Sequence, residues 1–99
     1  MKILAEKNNN LLVQLDCTLA NGEPLYSVGG PDYITGRPED ELFKCTKAEM
    51  IEYLRKCLKG YDRDLQKSIE WHMDTRIPMI KDQQEAMQSF INDLERKGN

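Results

Sequence analysis

The chain has 99 residues, of which 39% are hydrophobic and 31% charged, and its formal net charge is −3. This length predicts a single domain over residues 1–99 with one modest core. The negative charge disfavours nonspecific nucleic-acid binding, and no apolar run approaches the ~20 residues that a membrane-spanning helix needs.

The cysteines, Cys17, Cys45 and Cys57, are odd in number and include no C-x-x-C pair. This spacing fits neither a disulfide framework nor a zinc site. We interpret them as reduced, mostly buried thiols, and we expect neither a metal nor a cofactor. The N-terminus lacks the apolar core of a signal peptide, so the expected location is the cytoplasm.

The N-terminal half alternates between apolar and polar residues, which is typical of β-strands. Residues 11–19 place leucine and valine side chains on one face and mainly polar side chains on the other, which predicts a half-buried strand. Shorter strands are expected at 2–6 and 24–28. The asparagine-rich and Asn-Gly segments between them predict the turns of an antiparallel meander.

Residues 29–40 contain three glycines and two prolines, which predicts an irregular loop. A last short strand over 41–45 would give the sheet four strands instead of three. Because loops of this length often carry function, a small enzyme with its site near residues 29–40 and His72 is one alternative function.

Thr46 and Glu49 match a capping box, which predicts that a helix begins here. Gly60 is expected to end this first helix, and Asp62 to cap the next one. The inner face of the first helix is expected to consist of apolar residues at helical spacing: Met50, Tyr53, Leu54, Cys57 and Leu58.

A second apolar stripe, with spacings of three and four, runs from Leu65 to Leu94 and predicts further helix. Pro78 lacks an amide hydrogen, so it must kink the helix or interrupt it, with Asp74 or Thr75 as a new N-cap. An interruption is favoured, because one helix of ~35 residues would extend ~50 Å, well beyond a domain this small.

These elements predict an α+β fold, in which a three- to four-stranded antiparallel meander and loop (residues 1–45) pack against two or three helices (residues 46–99). The helices are expected to cover the apolar face of the sheet. The second stripe is long for one small sheet to cover, so it also predicts a homo-oligomer. The expected interface consists of Met87, Phe90, Ile91 and Leu94.

The segment 71–80, WHMDTRIPMI, contains the only tryptophan and the only histidine of the chain. Glu70, His72 and Asp74 resemble an acid-base or metal cluster, but on a helix His72 points roughly 200° away from Glu70. They cannot converge on one ion. We therefore expect His72 to be structural, partly buried on the inner stripe and hydrogen-bonded.

Trp71 differs from its neighbours, because it projects away from the predicted stripe, on the same side as Asp64, Ser68 and Thr75. Either a loop or the sheet covers it, or it is exposed as an anchor for a partner, as tryptophan often is in interfaces. These four residues are the candidate partner-binding site.

A basic patch, formed by Arg55, Lys56 and Lys59 on the first helix, is the basis of a further alternative, a nucleic-acid-binding module. The favoured interpretation is a small acidic cytosolic protein that regulates or inhibits a larger protein by surface contact. An inhibitor of phage or mobile-element type would fit this description. No membrane partner is expected.

Overall fold

An antiparallel meander of three strands precedes a hairpin of two long helices, in a computed structural model that describes residues 1–96. The strands pair in the order β1-β2-β3. The predicted α+β class is confirmed, while the last three residues of the predicted helical part lie outside the described residues. The elements are β1 (Lys2–Lys7), β2 (Asn10–Thr18), β3 (Pro24–Gly29), α1 (Pro31–Thr35), a 3-10 turn (Glu39–Glu41), α2 (Lys47–Glu70) and α3 (Arg76–Arg96).

The turn between β1 and β2 consists of two asparagines with left-handed backbone conformations. Asn8 has a φ of 50° and Asn9 a φ of 64°, and Lys7 pairs with Asn10 on either side of them. A two-residue hairpin loop with positive φ at both positions matches the right-handed twist of the strands, and asparagine tolerates it well. The local sequence therefore specifies the register of the first hairpin.

The sheet is covered on both faces, and its central strand β2 contributes side chains to a core on each side. Leu12 is fully buried against the helices, in a cluster that includes Met50 of α2 and Phe90 of α3. The alternate residues of β2, such as Val13, face the other side. The prediction that the helices cover the alternating leucine and valine face is therefore wrong, since they cover the opposite one.

The segment after β3 covers this second face and is more regular than an irregular loop. It forms α1 and the 3-10 turn, and buries Ile34 and Leu42 against Leu11, Val13 and Leu15. Residues 41–45 do not form a fourth strand. Only Cys45 pairs with the sheet, where it exchanges backbone hydrogen bonds with Tyr26 at 2.7 and 3.0 Å.

The predicted start of α2 is confirmed in detail. The Thr46 amide donates to Glu49 Oε1 at 2.9 Å, and the Glu49 amide donates to Thr46 Oγ1 at 3.3 Å. The predicted end at Gly60 is wrong, because α2 continues for 24 residues and Asp62 lies inside it. A glycine in a helix costs only ~1 kcal/mol, which packing along the whole inner face of α2 outweighs.

The helix α2 ends in a Schellman motif. The Met73 amide donates to the Ser68 carbonyl at 2.8 Å, and the His72 amide donates to the Ile69 carbonyl at 3.2 Å. His72 has a φ of 54°, in the left-handed position that glycine usually occupies.

The expected interruption of the second stripe is confirmed, and the new helix begins before Pro78. The helix α3 begins at Arg76, directly after Thr75. Pro78 is therefore the third residue of α3. An amide in the first turn has no partner within the helix, so proline is tolerated there.

We predict that His72→Gly raises the free energy of unfolding by about 0.5–1 kcal/mol, because glycine adopts positive φ without the steric cost that a Cβ imposes. His72→Val is the matched control and should destabilise the protein, since a β-branched residue tolerates this region least. Urea denaturation measures both. A glycine variant no more stable than the wild type would contradict the left-handed cap.

We also predict that Gly60→Ala stabilises the protein by about 1 kcal/mol, because a Cβ at this mid-helix position has no atom within 4 Å. The control is Gly36→Ala, where the new Cβ would collide with the Asp32 carbonyl oxygen. This control should lower the denaturation midpoint. If Gly60→Ala lowers it too, α2 is interrupted at Gly60 in solution.

Candidate functional site

The end of the helical hairpin contains a groove between α2 and α3, which we call the tip groove. A cleft of about 270 Å³ lies nearest the turn, and a second of about 170 Å³ lies beside it, with Asp64 and Arg76 shared by both. The first cleft is also lined by Lys67, Ser68, Trp71 and Met73. The second is also lined by Tyr61, Met79, Ile80 and Gln83.

Exposed apolar side chains concentrate at this end of the molecule. Trp71 is 73% exposed and Met79 66% exposed, and Met73 and Ile69 are exposed as well. Neither core cluster includes a side chain from residues 62–81. Scattered exposed hydrophobic residues are ordinary, but Trp71, Met73 and Met79 line adjoining clefts.

The predicted partner-binding residues are only partly brought together. Trp71 and Asp64 line the tip groove, and Thr75 is exposed in the turn but does not line it. Ser68 lines the groove floor but is only 1% exposed, so its assignment to the outer side of the helix is wrong. The inner face of α2 continues past Gly60 through Tyr61 to Ser68.

Because α2 continues past Gly60, two residues predicted to lie on the inner stripe are exposed instead. Ile69 is 49% exposed, and His72 is exposed in the turn, where its backbone ends the helix. His72 is therefore not the partly buried histidine that the sequence predicted. Within residues 1–96 no three histidine, cysteine or carboxylate side chains are placed to hold a metal ion together.

Lys67, Arg76 and Met79 are among the groove residues that sequence reasoning did not assign to the site. The signal for Lys67 was available, because a helix that continues through Gly60 places residues 61, 64, 67 and 68 along adjoining faces. Arg76 and Met79 depend on how α3 packs beside α2, which local spacing does not define. These residues add two positive charges and a flexible apolar side chain to the site.

The charged side chains of the tip groove form no ion pairs within residues 1–96. Asp64, Lys67 and Arg76 are exposed, and none forms an ion pair or a side-chain hydrogen bond with another residue of 1–96. The groove therefore carries a local charge of +1 on a chain whose net charge is −3. These three charged groups are free to contact a ligand.

The residues predicted to form an oligomer interface are core residues of the single chain. Met87, Phe90, Ile91 and Leu94 are all buried, in the cluster that joins α3 to α2 and the sheet. They present no surface to a second folded copy. The inner face of α3 is covered within the chain, because the unbroken α2 packs along it.

The basic patch on α2 is partly neutralised. Arg55 pairs with Glu95 at 3.2 Å, and Lys56 pairs with Glu52 at 3.3 Å, while Lys59 is exposed. The positive charge available to a phosphate backbone is therefore smaller than the sequence indicates.

The segment after β3 and His72 do not form one site. The segment covers the sheet face opposite the helices, and His72 lies at the end of the helical hairpin. Within the segment, the Arg37 guanidinium lies 5.0 Å from the centre of the Tyr33 ring, and the Tyr33 hydroxyl accepts a hydrogen bond from the Phe43 amide at 2.9 Å. These contacts stabilise the segment itself.

Two thiols lie close to Tyr53, at the edge of the helical core. Burial, with a smaller effect from the Glu49 carboxylate, raises the pKa of the Cys45 thiol, which disfavours the nucleophilic thiolate. Burial, followed by a hydrogen bond with Cys57, raises the pKa of Tyr53 to about 12. Both shifts favour the neutral form of the side chain.

The raised pKa of Tyr53 predicts a loss of stability at alkaline pH. Because Tyr53 ionises near pH 10 when unfolded and near 12 when folded, its contribution is complete below pH 10 and is lost as pH rises to 12. Tyr53→Phe should therefore lose less stability than the wild type between pH 9 and about 11.5. Urea midpoints at both pH values measure this, and equal losses would contradict the shift.

In comparisons with protein-family models, curated proteins and solved structures, nothing matches this chain. Its function must therefore be inferred from the surface and the chemistry described above.

Proposed function

We propose that this is a small binding protein that regulates another protein by surface contact, with the tip groove as its binding surface and Trp71 as the anchor. The observation that carries the proposal is the 73% exposure of Trp71 beside a groove whose charges are unpaired. Exposing the largest apolar side chain to water has a cost that a partner's surface would remove.

The energetics favour Trp71 as the anchor. Covering a largely exposed tryptophan in a partner's pocket contributes about 2–4 kcal/mol, and tryptophan is enriched among the residues that dominate binding energy. Met73 and Met79 flank it with flexible thioether side chains, which adapt to irregular surfaces. The apolar area is therefore suited to a protein surface.

The backbone beneath Trp71 is fixed before any partner binds. Its amide donates to the Lys67 carbonyl at 2.9 Å, and the Schellman hydrogen bonds of His72 and Met73 follow directly. Less conformational entropy is lost when the anchor is already positioned, so more of the contact energy contributes to affinity.

The class of partner is also part of this proposal. None of the helices in residues 1–96 is long and apolar enough to cross a membrane. Regulation or inhibition of a larger cytosolic protein, including one of phage or mobile-element origin, is compatible with a small acidic chain that exposes apolar side chains at its tip.

The proposal is tested by photo-cross-linking in the native cell, with a photoreactive amino acid in place of Met79. The control position is Gln88, which is exposed on α3 but lies roughly 180° around the helix from Met79. We expect a cross-linked protein from position 79 and none from position 88. Equal labelling at the two positions would refute a binding surface at the tip.

Adding Trp71→Ala to the position-79 variant should reduce the cross-linked product at least tenfold, which corresponds to about 1.4 kcal/mol. Its unfolding free energy should stay within about 0.5 kcal/mol of the wild type, because an exposed side chain contributes little to the fold. A substitution that unfolds the chain would instead show that Trp71 is part of the core.

A further inference from the structure

We infer that the tip groove binds the tip of a second copy of this chain, which gives a two-fold symmetric dimer. This inference rests on the proposed function, since it names the partner of the same surface. A two-fold interface brings the same patch of both copies together, so the patch must be complementary to itself.

The tip contains both halves of such an interface. Its groove is lined by Lys67, Arg76 and Asp64, whose charges sum to +1, and also by Trp71. The turn presents Trp71 between two carboxylates, Glu70 and Asp74, which are both exposed. An acidic segment with a central tryptophan is complementary in charge to an apolar groove of net charge +1.

None of these four charges is satisfied within the chain. Lys67, Glu70, Asp74 and Arg76 form no ion pair with one another or with any other residue of 1–96. Lys67 lies one helical turn before Glu70, a spacing that permits a pair, yet the pair is not formed. In a two-fold contact, the two cations of each copy would meet the two carboxylates of the other.

The groove also has room for the anchor. A cavity of about 150 Å³ holds a benzene molecule, so the cleft of about 270 Å³ is large enough for an indole ring. Since residues 62–81 contribute no side chain to either core cluster, the tips can approach each other without disturbing the fold.

The test exchanges charges across the interface. One variant carries Lys67→Glu with Arg76→Glu, and the other carries Glu70→Lys with Asp74→Lys. Each variant alone should weaken dimerisation at least tenfold, because its two copies present like charges to each other. An equimolar mixture should recover heterodimers with nearly wild-type affinity. One set of pairs is restored with its signs reversed, and the other set keeps its wild-type signs.

The measurement is sedimentation velocity of the purified chain over roughly 1–100 µM, a range that covers micromolar dissociation constants. Lys59→Glu is the matched control, since it reverses an exposed cation of α2 outside the groove, and it should leave the dissociation constant unchanged. Circular dichroism establishes that each variant is folded. If a double variant fails to fold, Trp71→Ala replaces it and should abolish the dimer.

Any of three results would overturn the inference: the wild type is monomeric, the charge-reversed variants dimerise normally, or their mixture stays monomeric. The cross-link from position 79 separates this failure from that of the proposed function. A product of twice the chain mass supports the dimer. A product of another mass, together with a monomeric wild type, would overturn the dimer but support the binding surface. The absence of any product would overturn both the dimer and the binding surface.

Discussion

The packing of one unbroken face of α2 against α3 is the contact on which the rest of the structure depends. Its inner residues run from Met50 to Ser68 without interruption at Gly60. A helix of 24 residues extends about 36 Å, which is longer than the β-strands beside it. The hairpin therefore projects beyond the sheet, and its last turns pack only against each other.

This projection explains why the apolar surface lies where it does. Near the sheet, α3 is enclosed between α2 and the strands, so Phe90 and Leu94 are fully buried. Beyond the sheet only one neighbour remains, and Met79 and Trp71 are left in water. The exposure of the tip is thus a consequence of helix length, and the sequence places its most bulky residue there.

Features with a local cause could be predicted from the sequence, and features that depend on tertiary packing could not. The capping box of Thr46 and Glu49 and the asparagine turn are set by neighbouring residues, and both form as expected. The end of α2 was misplaced, because Gly60 has the chemistry of a helix stop while the packing of the whole face keeps it helical.

That single error also accounts for the errors at the candidate site. Taking a new helix from Leu65 gave the wrong inner face, so Ser68 was placed outside and Ile69 inside. The faces of β2 were misassigned for a related reason. When a strand is buried on both faces, its sequence pattern does not show which layer covers which face. Here Ile34 and Leu42 cover one face, and they come from a segment that the sequence predicts to be irregular.

The costs to stability concentrate at the tip. Trp71 exposes an aromatic ring, and the next residue, His72, holds a left-handed conformation that glycine would adopt with less strain. Strained backbone positions are more frequent at functional sites than elsewhere. The adjacent charges of Lys67, Glu70, Asp74 and Arg76 form no ion pairs within residues 1–96. The hairpin tip therefore combines an exposed aromatic ring, a strained backbone position and unpaired charges within residues 67–76.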